Sequence, residues 1–140
     1  MPEHPLSQAA MRQRVESYFD AVGRGDRDAL LEIFTPGLRW RVPQGAIAPY
    51  AGLHEGGETV ADLMLGAVGN SFVPGSQQTE IKTVLFGENL LAAETVMTAE
   101  TPDGRNYRNN YTFFFEFEGG RISEIREHVD TRYAADFFAS

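Results

Sequence analysis

The chain has 140 residues, 42% hydrophobic and 11% aromatic, enough apolar material for one core, and one small domain spanning 1–140 is expected rather than disorder. With 12 basic against 20 acidic side chains and a formal charge of -8, the surface repels phosphate backbones, so nucleic acid is not an expected partner. The absence of cysteine excludes disulfides, thiolate metal sites and cysteine nucleophiles, and His4, His54 and His128 are too scattered to predict a metal centre.

The start, Met1-Pro2-Glu3-His4-Pro5, lacks the basic flank and apolar stretch of a secretory signal, and no later run approaches the ~20 apolar residues of a membrane span, so a cytoplasmic protein with no membrane partner is expected. Ser7 precedes Met11, Val15, Tyr18, Phe19 and Val22, whose spacing of three and four predicts a capped amphipathic helix ending near Gly23 and Gly25. Asp26 caps a second, shorter helix that buries Leu30, Ile33 and Phe34 and stops at Pro36-Gly37. A strand from Leu38 to Val42 follows, then a loop between Pro43 and Gly57, and Val60, Leu63, Met64 and Ala67 mark a third helix. From Gln78 onward Thr, Val, Phe and Tyr dominate, and turn signals at Gly87-Glu88-Asn89, Pro102-Asp103-Gly104 and Gly119-Gly120 predict a four-stranded meander. Asp130 or Thr131 caps a closing helical turn through Phe138. The pattern is α+β: a curved antiparallel sheet wrapped around N-terminal helices, a cone with an internal pocket.

Tyr18-Phe19-Asp20-Ala21 with Gly25-Asp26 and Ala29-Leu30 resembles the first helical hairpin of the nuclear transport factor 2-like superfamily. Tyr107-Arg108-Asn109-Asn110-Tyr111, Phe113-Phe114-Phe115, Gly120-Arg121-Ile122 and Arg126-Glu127-His128-Val129-Asp130-Thr131 resemble its SnoaL-like branch, which includes polyketide cyclases and is related to ketosteroid isomerases and limonene-epoxide hydrolases. The resemblance spans nearly the whole chain and implies the fold more specifically than the reaction. It implies Glu127 at the position of a catalytic aspartate of the epoxide hydrolases, with Glu94 and Val96 where those enzymes keep an arginine and a second aspartate. It also implies Tyr18 at the oxyanion-donor position of the ketosteroid isomerases, with Val42 near their base and Phe113 near their second donor. Asp130 is the nearest match to the terminal acid of the cyclases.

Strand alternation sends either Ile125, Glu127 and Val129 or Arg126, His128 and Asp130 inward, and the apolar flanks of Glu127 favour the first set. A carboxyl among apolar neighbours has its pKa raised toward the range useful for proton transfer near neutral pH. Glu127 and Asp130 are thus competing candidates for the proton-handling acid. Arg39 or Arg41 on the first strand is a candidate charge partner, Tyr18 and Tyr111 can polarise a substrate oxygen, and Asn109 can orient substrate or water. Trp40 and the phenylalanines from Phe113 to Phe117 belong to the core or a dimer interface, or touch a ligand, and His54 lies over the pocket mouth or on an exposed loop. His128 either pairs with Asp130 or is a surface imidazole, and Glu94 is either a pocket residue or a mark of a wet face. The expected activity is a cofactor-free isomerase or cyclase acting by general acid–base catalysis on a small apolar, oxygenated, polyketide- or terpenoid-like molecule, in a homodimer formed through the sheet face. A non-catalytic binding or dimerisation module and an epoxide hydrolase are the alternatives.

Overall fold

The computed structural model describes residues 4–139, and the Met1-Pro2-Glu3 part of the start discussed above lies outside the described residues. Helix α1 (Gln8–Arg24) begins where Ser7 Oγ accepts from Ala10 N at 3.1 Å and ends at Gly25, whose φ of 70° is the left-handed conformation that a helix stop requires. Helix α2 (Arg27–Ile33) starts on Asp26, which accepts from Ala29 N at 3.0 Å. It does not run to Pro36-Gly37 as expected: strand β1 (Phe34–Val42) takes over at Phe34, since Pro36 lacks an amide for a helix and disfavours the helical conformation at Thr35. The expected loop contains a short strand, β2 (Gly52–Glu55), that pairs with β1.

Helix α3 (Gly57–Ser71) is followed by β3 (Gln78–Gly87), β4 (Leu90–Glu100), β5 (Asn106–Glu118) and β6 (Arg121–Val129), and the described chain closes on α4 (Thr131–Ala139). The four later strands form the expected meander, with turns at Glu88-Asn89 and Gly119-Gly120. One six-stranded, curved and unclosed sheet results, in the order β2-β1-β6-β5-β4-β3. All neighbours are antiparallel except β1 and β6, where Trp40 stands beside Ile125 and Arg41 beside Arg126.

The architecture is α+β with the N-terminal helices packed on the concave face of the sheet. Met11, Val15, Tyr18 and Ala21 of α1 and Leu30 of α2 meet Phe34, Leu38, Phe115, Ile122 and Ile125 in one core, where a buried Phe or Leu contributes roughly 2–3 kcal/mol by area removed from water. A second apolar cluster of Phe72, Met97, Ala99 and Tyr107 sits beneath α4 and is touched by Phe137. Among the described residues no helix is long and apolar enough to cross a membrane.

Candidate functional site

Between the helices and the concave face the core is incomplete, leaving a cavity of about 410 Å³. The alternation of β5 supplies Tyr107, Tyr111 and Phe113 to this wall, β1 supplies Trp40 and Val42, and β6 supplies Glu127 and Val129. Tyr18, Phe19 and Val22 face it from α1, Met64 and Val68 from α3, and Phe138 from α4. Among the described residues the lining is mostly aromatic and aliphatic, with one carboxyl group.

That carboxyl is Glu127, directly opposite Phe113 across the β5–β6 ladder. Trp40 Nε1 donates a hydrogen bond of 2.8 Å to its Oε1. Among the described residues the other oxygen has no hydrogen-bond partner, and Glu127 is part of the cavity lining. Burial raises the carboxyl pKa from 4.5 to about 7, because the charged form loses hydration, and the Trp40 bond pulls back only partly. Near neutral pH the group is therefore poised between acid and base.

Three phenols surround it. Tyr18 is buried, its hydroxyl 3.6 Å from Met64 Sδ, a weak acceptor. Tyr111 Oη lies 3.0 Å from Tyr107 Oη. Burial first, and then the negative charge of Glu127, holds the Tyr18 hydroxyl well above its ordinary pKa. Burial likewise raises Tyr111 and Tyr107, with Glu127 among the further causes for both. All three remain protonated donors when Glu127 is ionised.

Asn109 is buried but stands behind this wall rather than on it. Its Nδ2 donates to Tyr107 Oη at 2.9 Å and to Asp130 O at 3.1 Å, and its Oδ1 accepts from Asn110 N. It is a positioning group for Tyr107, not the substrate contact expected from sequence.

Several other expected site residues face elsewhere. Trp40 points inward, so its neighbours Arg39 and Arg41 point outward, where both approach Glu124 Oε1 at 3.5 and 3.6 Å. Neither is the charge partner of Glu127. Glu94 is exposed on the outer face, the wet-face alternative. His128 is also exposed on that face, edge-on to Phe114, and makes no pair with Asp130. Asp130 is exposed and caps α4, accepting from Tyr133 N at 3.0 Å; it lies past the end of β6 and does not line the cavity. His54 sits on β2 beside Trp40, its Nε2 2.7 Å from Tyr50 O, and is outside the cavity lining.

Two features escaped the sequence reading. The Trp40–Glu127 bond joins residues 87 positions apart through the parallel β1–β6 pairing, which no local pattern announces. Tyr107 shares the parity of Tyr111 and Phe113, and that alternation was the available signal. Among the described residues no group of three His, Cys, Asp or Glu is placed to hold a metal ion.

Against known proteins, the sequence profile of the SnoaL-like domain matches residues 15–125. No curated protein matches the chain significantly. Bal32a, from a soil-derived mobile gene cassette, superposes with a TM-score of 0.75 at 27% identity, covering 93% of this chain and 96% of that one. TerC, co-crystallised with polyporic acid, gives 0.80 at 13% identity over 94% and 99% of the two chains. A protein of Jannaschia sp. CCS1, classed with the SnoaL-like polyketide cyclases, gives 0.74 at 18% identity over 96% and 95%. At those identities the latter two establish the fold alone. The profile covers most of the chain, and the cone of helices and curved sheet agrees with it: the chain belongs to the SnoaL-like domain family, within the nuclear transport factor 2-like superfamily to which polyketide cyclases and isomerases are related.

Proposed function

We propose that this protein is an acid–base enzyme that isomerises or cyclises a small, uncharged, largely apolar molecule bearing a carbonyl or similar oxygen, of polyketide- or terpenoid-like character. One observation carries the reading: a single carboxyl on the wall of an apolar cavity, anchored through one oxygen, with a pKa of about 7. Ionised Glu127 takes a proton from a carbon beside the substrate carbonyl, and the electron pair moves onto the carbonyl oxygen. The hydroxyl of Tyr18 or Tyr111 donates to that oxygen as charge develops. Returning the proton to another carbon completes an isomerisation; attack of the carbanion on a second carbonyl carbon, followed by protonation of the new alkoxide, completes a ring closure. The chain's own residues supply each step. The crystallisation of TerC with polyporic acid supports a small organic guest in this fold.

A non-catalytic binding module is the second reading, favoured by the fact that Tyr18 and Tyr111 already have partners in Met64 and Tyr107. Epoxide hydrolysis has less support, because Glu94 is exposed and Val96 is apolar. The test uses 2-tetralone, a bicyclic ketone, in deuterated water. Binding is followed through Trp40, the one tryptophan, and exchange at the carbons beside the carbonyl by NMR. Wild type should accelerate exchange, with a rate rising through about pH 7, and Glu127→Gln should remove the acceleration. A bound ketone that exchanges no faster than in buffer would leave the binding-module reading in its place.

A further inference from the structure

Every charge that the cavity can carry is negative. Among the described residues that line it, Glu127 is the one acid and no Lys, Arg or His is present. The basic side chains of the adjoining strands do not line it: Arg39 and Arg41 approach Glu124, Arg126 pairs with Glu116 and Glu124, Arg108 and His128 are exposed, and His54, whose ring lies 5.4 Å from that of Trp40, has its Nε2 2.7 Å from Tyr50 O. Among the described residues, those that the elements packed around Glu127 contribute to the cavity lining add no cation. From α1 comes the hydroxyl of Tyr18, from α3 the thioether of Met64, from β5 the hydroxyls of Tyr107 and Tyr111, and from α4 Thr131, Ala134 and Phe138. The faces of aromatic rings carry negative partial charge, which attracts a positive group, and aromatic surroundings are a known setting for ammonium recognition.

We infer that the cavity has a second class of ligand, small organic ammonium ions, bound with the nitrogen on the free oxygen of Glu127 and the hydrocarbon body among the rings of Tyr18, Trp40, Tyr111 and Phe113. Burying an ion pair ordinarily costs the desolvation of both partners, which the mutual attraction only repays when geometry is good. Here the carboxylate is already desolvated by the fold, so a guest cation bears only its own dehydration and in return meets an unpaired charge. A guest carboxylate meets like charge and no donor stronger than a phenol. An ammonium guest holds Glu127 ionised, occupies the oxygen that would accept a substrate proton, and so blocks the proposed reaction. The inference rests on Glu127 facing an accessible cavity, as the proposed activity does, but it requires no turnover.

Three probes with one hydrocarbon body separate the possibilities: 1-adamantanemethylamine, 1-adamantanemethanol and adamantane-1-carboxylate, titrated against the full chain by calorimetry and by Trp40 fluorescence. At about pH 8.5 the amine should bind at least about tenfold more tightly than the alcohol, and the carboxylate most weakly. Amine affinity should fall by up to about tenfold per unit below pH 7, as Glu127 is protonated, while the alcohol changes little. Glu127→Gln should bind the amine no more tightly than the alcohol, both at about pH 8.5 and below pH 7. An alcohol that binds as well as the amine at high pH, or an amine preference that survives Glu127→Gln, overturns the inference, and the wild-type pH series decides it without any variant. Ketone exchange with no amine preference would defeat this inference alone, and amine preference without exchange would defeat only the proposed activity.

Discussion

Glu127 carries both the chemistry and a cost. Its folded-state pKa, about 7, lies above the 4.5 of an ordinary glutamate, so the folded chain binds more protons than the unfolded chain between those values. Stability from this group is therefore greatest at acid pH and is lost as pH rises through about 7, a penalty of about 3 kcal/mol when fully ionised. Glu127→Gln keeps an acceptor for Trp40 Nε1 and removes the charge. It should melt higher than wild type at about pH 8.5 and converge with it near pH 5, read by thermal unfolding across pH. Trp40→Phe removes the one donor that lowers the Glu127 pKa, so its titration midpoint should move upward, read by carboxyl NMR. At this scale the inward parity of Glu127 could be read from its apolar neighbours Ile125 and Val129, whereas its partner could not. Choosing between Trp40 and the flanking arginines needs the register of β1 beside β6, a tertiary fact.

Elements were legible where local chemistry sets them. Ser7 and Asp26 announce the starts of α1 and α2, and Glu88-Asn89 and Gly119-Gly120 announce the meander turns. Phe34 misled because it continues the helical spacing of Leu30 and Ile33, while the conformational limits of Pro36 and the pairing of Phe34 with Ile122 draw it into β1. Strand β2 was hidden because four exposed or half-buried residues among glycines carry no apolar alternation, and only pairing with β1 makes them a strand. At the far end, Asp130 serves α4 rather than the cavity. Asp130→Ala should cost about 1 kcal/mol of stability through loss of the cap and leave the Glu127 midpoint in place. Chemical unfolding and the same carboxyl titration check the two halves of that statement.

For the whole molecule, the cone and its internal cavity followed from the order of helices and strands together with the family resemblance, but the volume left unfilled did not, since it depends on how far the helices stand from the sheet. The outer sheet face is a different surface. It carries the Arg126 cluster with Glu116 and Glu124, the ring of Phe114 under the Arg126 guanidinium, and Leu85 exposed by 67%. We propose that this face joins two copies of the chain, because mixed ion pairs and scattered apolar groups can be self-complementary across a two-fold axis. Sedimentation equilibrium at micromolar concentration should give about twice 15.5 kDa, and a monomer mass would refute the pairing without touching the cavity.

The chemistry assigned to the cavity, both the proton transfer and the ammonium site, depends on one carboxyl being kept from water yet open to a guest. The most direct measurement is an NMR titration of the side-chain carboxyl carbon of Glu127 in carbon-13-labelled protein, assigned by its absence in Glu127→Gln. A midpoint of about 7 is expected, shifted downward when 1-adamantanemethylamine is present. A midpoint near 4.5, unmoved by the amine, would mean that Glu127 is hydrated like a surface acid and would contradict the chemistry assigned to it.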